Sequence, residues 1–100
     1  MLRAGPVEIW PDRFVAQADG ERLSLTAREL ALLTALVERQ GRIVGREELY
    51  RAVWGDSFSK SDRSVDVYVA KLRHKLREAA PSAKLIHTHF GFGYRFEPAA

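Results

Sequence analysis

Cysteine is absent from the 100-residue chain. Neither a disulfide framework nor a thiolate metal site is therefore available, and the lack suits a reducing compartment such as the cytoplasm. No stretch reaches about 18 consecutive apolar residues, the length needed to span a membrane as a helix, so no membrane partner is expected. The opening MLRAGPVEIW has no long apolar run either, and no signal peptide is expected. Internal repeats, low-complexity tracts and interdomain linkers are also missing. What remains is 46% hydrophobic and 29% charged, the balance of an ordinary globular chain. A chain of this length buries roughly two-thirds of its unfolded surface, enough for one core, so residues 1–100 are expected to form a single domain.

The net charge of +3 is modest, but it is not spread evenly. Between Lys60 and Arg77, six cations stand against Asp62 and Asp66, giving this segment +4 while the rest of the chain sums to −1. An asymmetry of that kind suits a polyanionic partner, although a solvated helix face would carry similar charge.

The first quarter alternates like β-strands. Val7-Glu8-Ile9 is one short run, and residues 13–18 and 21–25 flank Asp19-Gly20, a strong two-residue hairpin signal. The period then changes. Thr26 and Glu29 form a capping box, Leu30, Leu33, Leu36 and Val37 recur at helical spacing, and Gly41 closes the segment. A second short helix is predicted over 46–54, entered from Gly45 and carrying Leu49 and Val53 inward. A third is predicted over about 62–79, capped by Ser61 or Asp62 and followed by Pro81. Residues 85–89 and 94–97 then read as strands joined by Phe90-Gly91-Phe92-Gly93. The order is an antiparallel sheet, three helices and a hairpin, an α+β chain.

The third helix, SDRSVDVYVAKLRHKLR, is greasy on one side and cationic on the other. At about 100° per residue, Val65, Val69, Leu72 and Leu76 fall in one narrow arc, the candidate buried stripe. The opposite arc mixes Arg63, Lys71 and His74 with the small apolar Val67 and Ala70; Asp66, Arg73 and Arg77 lie on one flank, Ser64, Tyr68 and Lys75 on the other. That mixture suits the DNA major groove, where guanine offers acceptors to a cation and thymine offers a methyl group. Asp66 could accept from a cytosine amine, and the peripheral cations could pair with phosphates.

GREELYRAVWG, DRSVDVYVAKLRHKL and HTHFGFGYRF together resemble the winged-helix effector domain of the OmpR/PhoB response regulators, over nearly the whole chain to Phe96. The resemblance implies a winged helix-turn-helix and sequence-specific binding of double-stranded promoter DNA, as the output domain of a two-component regulator. The third helix would enter the major groove, and the wing, residues 85–97 with Phe90, Gly91, Phe92 and Gly93 at its turn, would lie near the minor groove. It implies base contacts from Asp66, Val67, Tyr68, Ala70, Lys71, Arg73 and His74. Backbone contacts would come from Arg46, Trp54, Arg63, Ser64, Lys75, Arg77 and Thr88. The loop of Asp56, Ser57, Phe58, Ser59 and Lys60 would face RNA polymerase. Relatives commonly bind direct repeats as head-to-tail pairs, with the isolated domain monomeric.

The chain departs from the family pattern in places. Relatives often carry an arginine before Gly-x-Gly-Tyr, where this chain has Phe90, which cannot make an arginine's contact in a narrow minor groove. Gly45 replaces a usual capping serine. The family usually joins this domain to a phosphoacceptor receiver, for which these residues leave no room and no aspartate cluster. Expected, then, is a fragment of a longer regulator, whose upstream receiver would be a partner, or else a stand-alone effector. No cofactor is expected. His87-Thr88-His89 places two imidazoles on one strand face without a third ligand nearby in sequence, so no metal site is expected. No nucleophile motif such as Gly-x-Ser-x-Gly is present, and no enzyme is expected. The rival to DNA binding is a winged helix that docks against an acidic protein, for which Phe90 and Phe92 give some support.

Overall fold

The computed structural model describes residues 1–98. Four short antiparallel strands, β1 (Leu2–Ala4), β2 (Val7–Trp10), β3 (Val15–Ala18) and β4 (Glu21–Arg22), form a sheet in the order β1-β2-β3-β4. The Asp19-Gly20 turn forms as its sequence requires, with φ of 51° and 78° and Ala18 paired to Glu21. Positive φ at both central residues is what a tight hairpin turn matched to strand twist demands. Strand β1 is an addition to the sequence reading, reached through the Gly5-Pro6 turn. Arg13, expected in a strand, lies instead in a 3₁₀ turn over Pro11–Arg13, because Pro11 opens that turn and the left-handed Phe14 at φ 53° closes it. Alternation is visible in burial: Val7, Ile9, Ala16 and Ala18 face inward.

Helices α1 (Ala27–Glu38), α2 (Arg46–Val53) and α3 (Ser64–Ala79) follow. The capping box is present. The Glu29 amide donates to Thr26 Oγ1 at 3.2 Å, and the Thr26 amide donates back to Glu29 Oε1 at 2.8 Å. Helix α1 is the centre of the molecule, packed by β1, α2, α3 and the last strand. Its Leu32, Leu33 and Leu36 are fully buried with Ile9, Leu49, Leu72 and Phe96. Each such side chain contributes roughly 2 kcal/mol by leaving water. Gly45 stands at the α2 N-cap with no side chain to cap it, while Glu47 and Glu48 in the first turn complement the helix dipole.

The third helix begins at Ser64, two residues later than the expected 62. Arg63 is its N-cap residue and makes no side-chain cap. The expected cap acts from one position further out, since Asp62 Oδ1 accepts from the Ser64 amide at 2.8 Å. The Ser64 hydroxyl and then that amide bond lower the Asp62 carboxyl from its ordinary pKa. Val65, Val69, Leu72 and Leu76 are all buried, as their spacing predicts.

Strands β5 (Ile86–His89) and β6 (Gly93–Phe96) make the terminal hairpin. The segment between α1 and α2 joins it: Val44 and Tyr94 exchange backbone hydrogen bonds of 2.7 and 2.9 Å, and the Gly41 amide donates to the Phe96 carbonyl. At Gly93, with φ 141°, a Cβ would sit 2.0 Å from the Val44 carbonyl oxygen. Only glycine fits there.

Candidate nucleic-acid interface

Helix α2, the ten-residue connection and α3 form a helix-turn-helix, and the hairpin lies against α3. An aromatic chain fixes the connection. Tyr50 stacks on Trp54 with ring centroids 5.4 Å apart, Phe58 packs against Tyr50 at 5.4 Å, and Tyr68 meets Trp54 edge-on at 5.3 Å. Geometries of this kind add stability beyond area alone. Phe58, in the loop expected to face polymerase, thus turns inward, with the Arg46 guanidinium 5.7 Å from its ring. Asp56, Ser57, Ser59 and Lys60 are exposed around it. Arg28 covers Trp54 at 5.3 Å and donates to the Val53 carbonyl.

The cations of α3 and its N-cap divide into two sets. Arg63, Lys71 and Arg77 are exposed, together with His74, Ala70 and Val67, the last at 48%. Lys71 Nζ lies 4.9 Å from the Tyr68 ring, which orients it along the outer face. Arg73 and Lys75 point back into the protein. Arg73 donates to the Ile86 carbonyl at 3.0 and 3.2 Å and to the Thr88 hydroxyl, with its guanidinium 5.7 Å from the Tyr94 ring. Burial lowers its pKa from the ordinary value. Lys75 Nζ bonds Glu29 Oε1 and the Ser24 carbonyl, each at 2.7 Å. Burial alone would raise the Glu29 carboxyl, but the bonds from Lys75 and Thr26 outweigh it and leave the pKa lowered.

Asp66 is equally committed. Oδ2 accepts from Arg46 Nε at 3.1 Å, and Oδ1 accepts from the Tyr94 hydroxyl at 2.5 Å. Arg46 also donates to the Asp62 carbonyl. Burial and then the Asp66 bond push the Tyr94 phenol up to about 12, so it stays a donor through the neutral range. One carboxylate therefore ties α2, α3 and the wing together.

Four of the expected contact residues also have partners within the fold. Asp66 and Arg73 act as clamps between α3 and the wing, Asp66 through both carboxylate oxygens and Arg73 through Nε and Nη2. Lys75 is an anchor to the capping box of α1, on the flank away from the wing. Thr88, expected at a backbone, receives the Arg73 bond and is half-buried. Val67, Ala70, Lys71 and His74 share the outward face, with Tyr68 at its edge; Arg63 and Ser64 stand at its start and Arg77 at its far end. The residues missed were Tyr94, Glu29 and Arg28, whose sequence neighbourhoods give no sign of distant partners.

A groove of about 580 Å³ runs between α3 and the wing, bounded by Arg46, Lys60, Arg63 and Asp66 on one side and by Thr88 to Tyr94 on the other. Phe90 and Phe92 stand at the tip, 88% and 76% exposed. His87 Nε2 is 3.2 Å from the Glu97 carbonyl, and no group of three or more histidine and acidic side chains able to hold a metal occurs among the described residues. No helix among them is long and apolar enough to cross a membrane.

A helix-turn-helix with a hairpin held against its last helix defines a winged helix-turn-helix domain. The family model described as "Transcriptional regulatory protein, C terminal" matches residues 20–96. The chain belongs to this family, the effector domains of OmpR/PhoB-type response regulators, which are transcriptional regulators and not enzymes. It is 34% identical over 97 residues to the sensory transduction protein RegX3 of Mycolicibacterium smegmatis, covering 97% of this chain and 42% of that one. Among solved structures it is similar to the DNA-binding domain of CpxR from E. coli, with TM-score 0.86, 32% identity and coverage of 99% and 97%. The Klebsiella pneumoniae RstA DNA-binding domain in complex with RstA box gives TM-score 0.86 at 31% identity, covering 98% and 97%. The chain spans less than half the length of the curated relatives it matches.

Proposed function

We propose that this chain binds duplex DNA with sequence preference, as the cytoplasmic output domain of a two-component response regulator. The observation that carries the reading is the outward face of α3, where Val67, Ala70, Lys71 and His74 are exposed while the apolar stripe is sealed beneath. That face is convex, carries donors and small apolar groups together, and has the dimensions a major groove admits. Arg63, Ser64 and Arg77 at its ends, with Trp54 and Thr88 beside it, supply backbone contacts, and the wing lies along the adjacent minor groove. The similarity to a domain described in complex with its DNA box supports the same docking.

Further proposals follow from family membership. A receiver domain belongs upstream in the full regulator, two copies occupy direct repeats head to tail, and the loop from Asp56 to Lys60 meets RNA polymerase.

Selection of bound duplexes from a random pool tests the reading. The expected result is an enriched motif bound at least about a thousandfold more tightly than random duplex at moderate salt. Lys71→Ala should cut that preference about tenfold, the share of one cation at a base edge, with thermal stability unchanged. The exposed Phe90 and Phe92 favour a second reading, docking against an acidic protein. That reading predicts no binding to any duplex even at low salt, a result that would overturn the first.

A further inference from the structure

The two most exposed large apolar side chains of the molecule are Phe90 and Phe92, on either side of Gly91 at the tip of the wing. Gly91 at φ 83° and the bond from the Phe92 amide to the His89 carbonyl close a tight turn there. Both rings are thus carried on a short backbone without neighbours to hide them. Behind the tip the hairpin is rigidly seated, by the Val44 pairing, by Asp66 on Tyr94 and by Arg73 on Ile86 and Thr88. Cations flank it on both sides. Arg46, Lys60 and Arg63 outnumber Glu47 and Asp66 in the groove toward the start of α3, and Arg77 and Lys84 line a second groove of about 500 Å³ that Phe90 also borders.

An apolar tip between two cationic grooves matches a ligand with anionic rails and an apolar interior. A base-pair stack behind its phosphates has that chemistry, and it is continuous with the α3 face proposed above. Phenylalanine is among the side chains that wedge between base steps from the minor groove, partly unstacking them and kinking the duplex. We infer that Phe90 and Phe92 form such a wedge, so that the wing reads the deformability of a base step and not its hydrogen-bonding edge. The preference would fall on flexible pyrimidine–purine steps. This inference rests on the DNA-binding reading.

The test uses a selected duplex carrying 2-aminopurine, moved one position at a time along the flank of the enriched motif. Bound wild type should raise its fluorescence at one or two neighbouring steps, as the probe unstacks. Phe90→Ala/Phe92→Ala should abolish that rise and weaken binding by about tenfold or more, with the salt slope unchanged because no phosphate contact is lost. Phe90→Leu/Phe92→Leu should keep part of the rise. Both positions are exposed, so the variants should melt as wild type does. Tight binding with the probe quenched at every position would overturn the wedge alone. A loss seen only on duplexes with two sites would also overturn it, by assigning the rings to a second copy of the chain. Binding to anionic vesicles with no change on DNA would overturn it in favour of a membrane surface. Failure of wild type to bind any duplex would remove the DNA-binding reading itself.

Discussion

Two sets of basic side chains occupy the third helix and its N-cap, and they differ in exposure. Arg73 and Lys75 fold back onto protein acceptors, whereas Arg63, Lys71 and Arg77 face outward. The same division runs through the rest of the chain. Arg46 is closed on Asp66, and Arg39 and Arg42 share Glu48, whose carboxyl their bonds hold at about 2. A cationic helix is therefore a sum of two populations, one that fixes the helix in the fold and one available to a polyanion. Only the second should respond to salt as phosphate contacts do.

Arg73→Ala should have the largest effect, since it strips the wing of one of its two ties to α3. The Ile86 carbonyl loses its partner, and stability should fall by about 2 kcal/mol in urea denaturation, with binding weakened on every sequence alike. Unchanged stability would move Arg73 into the outward population. Lys75→Met should cost about as much at pH 7, by leaving the Glu29 carboxylate buried without its cation, and should spare sequence preference. Its pH dependence has a definite sign. The lowered folded-state pKa of Glu29 contributes stability above the unfolded carboxyl value of about 4.3, and that contribution is lost as pH falls through the folded value. The gap between wild type and Lys75→Met should accordingly narrow as the pH falls below the unfolded carboxyl value, and a gap constant with pH would refute the pairing. Arg63→Ala, at the exposed end, should change stability by less than about 0.5 kcal/mol. It should flatten the salt slope of binding by about one unit on all duplexes.

The apolar frame of the molecule was legible in the sequence because its signals are local. A capping box spans four residues, the α3 stripe repeats every three or four, and Asp19-Gly20 states its own turn. Strand β1 was not legible, since Leu2-Arg3-Ala4 is too short to show a period. The closed cations were not legible for a different reason. Lys75 finds its acceptors 46 and 51 positions away, Arg73 finds its own 13 and 15 away, and Asp66 meets Tyr94 across 28. Helical spacing sorted these side chains by direction correctly. It carried no information on what waited there, and so the bonds that Asp66, Arg73 and Lys75 make within the fold were not legible.

The backbone of Val44 lies so close to Gly93 that no side chain can be placed between them. The base of the hairpin is thereby closed to substitution, while a Cβ at Gly91 would meet nothing within 4 Å and the two rings beside it are largely exposed. Chemical novelty in this wing can accumulate at its outer end without unseating the inner one. Two side chains can be exchanged there while the architecture stays untouched.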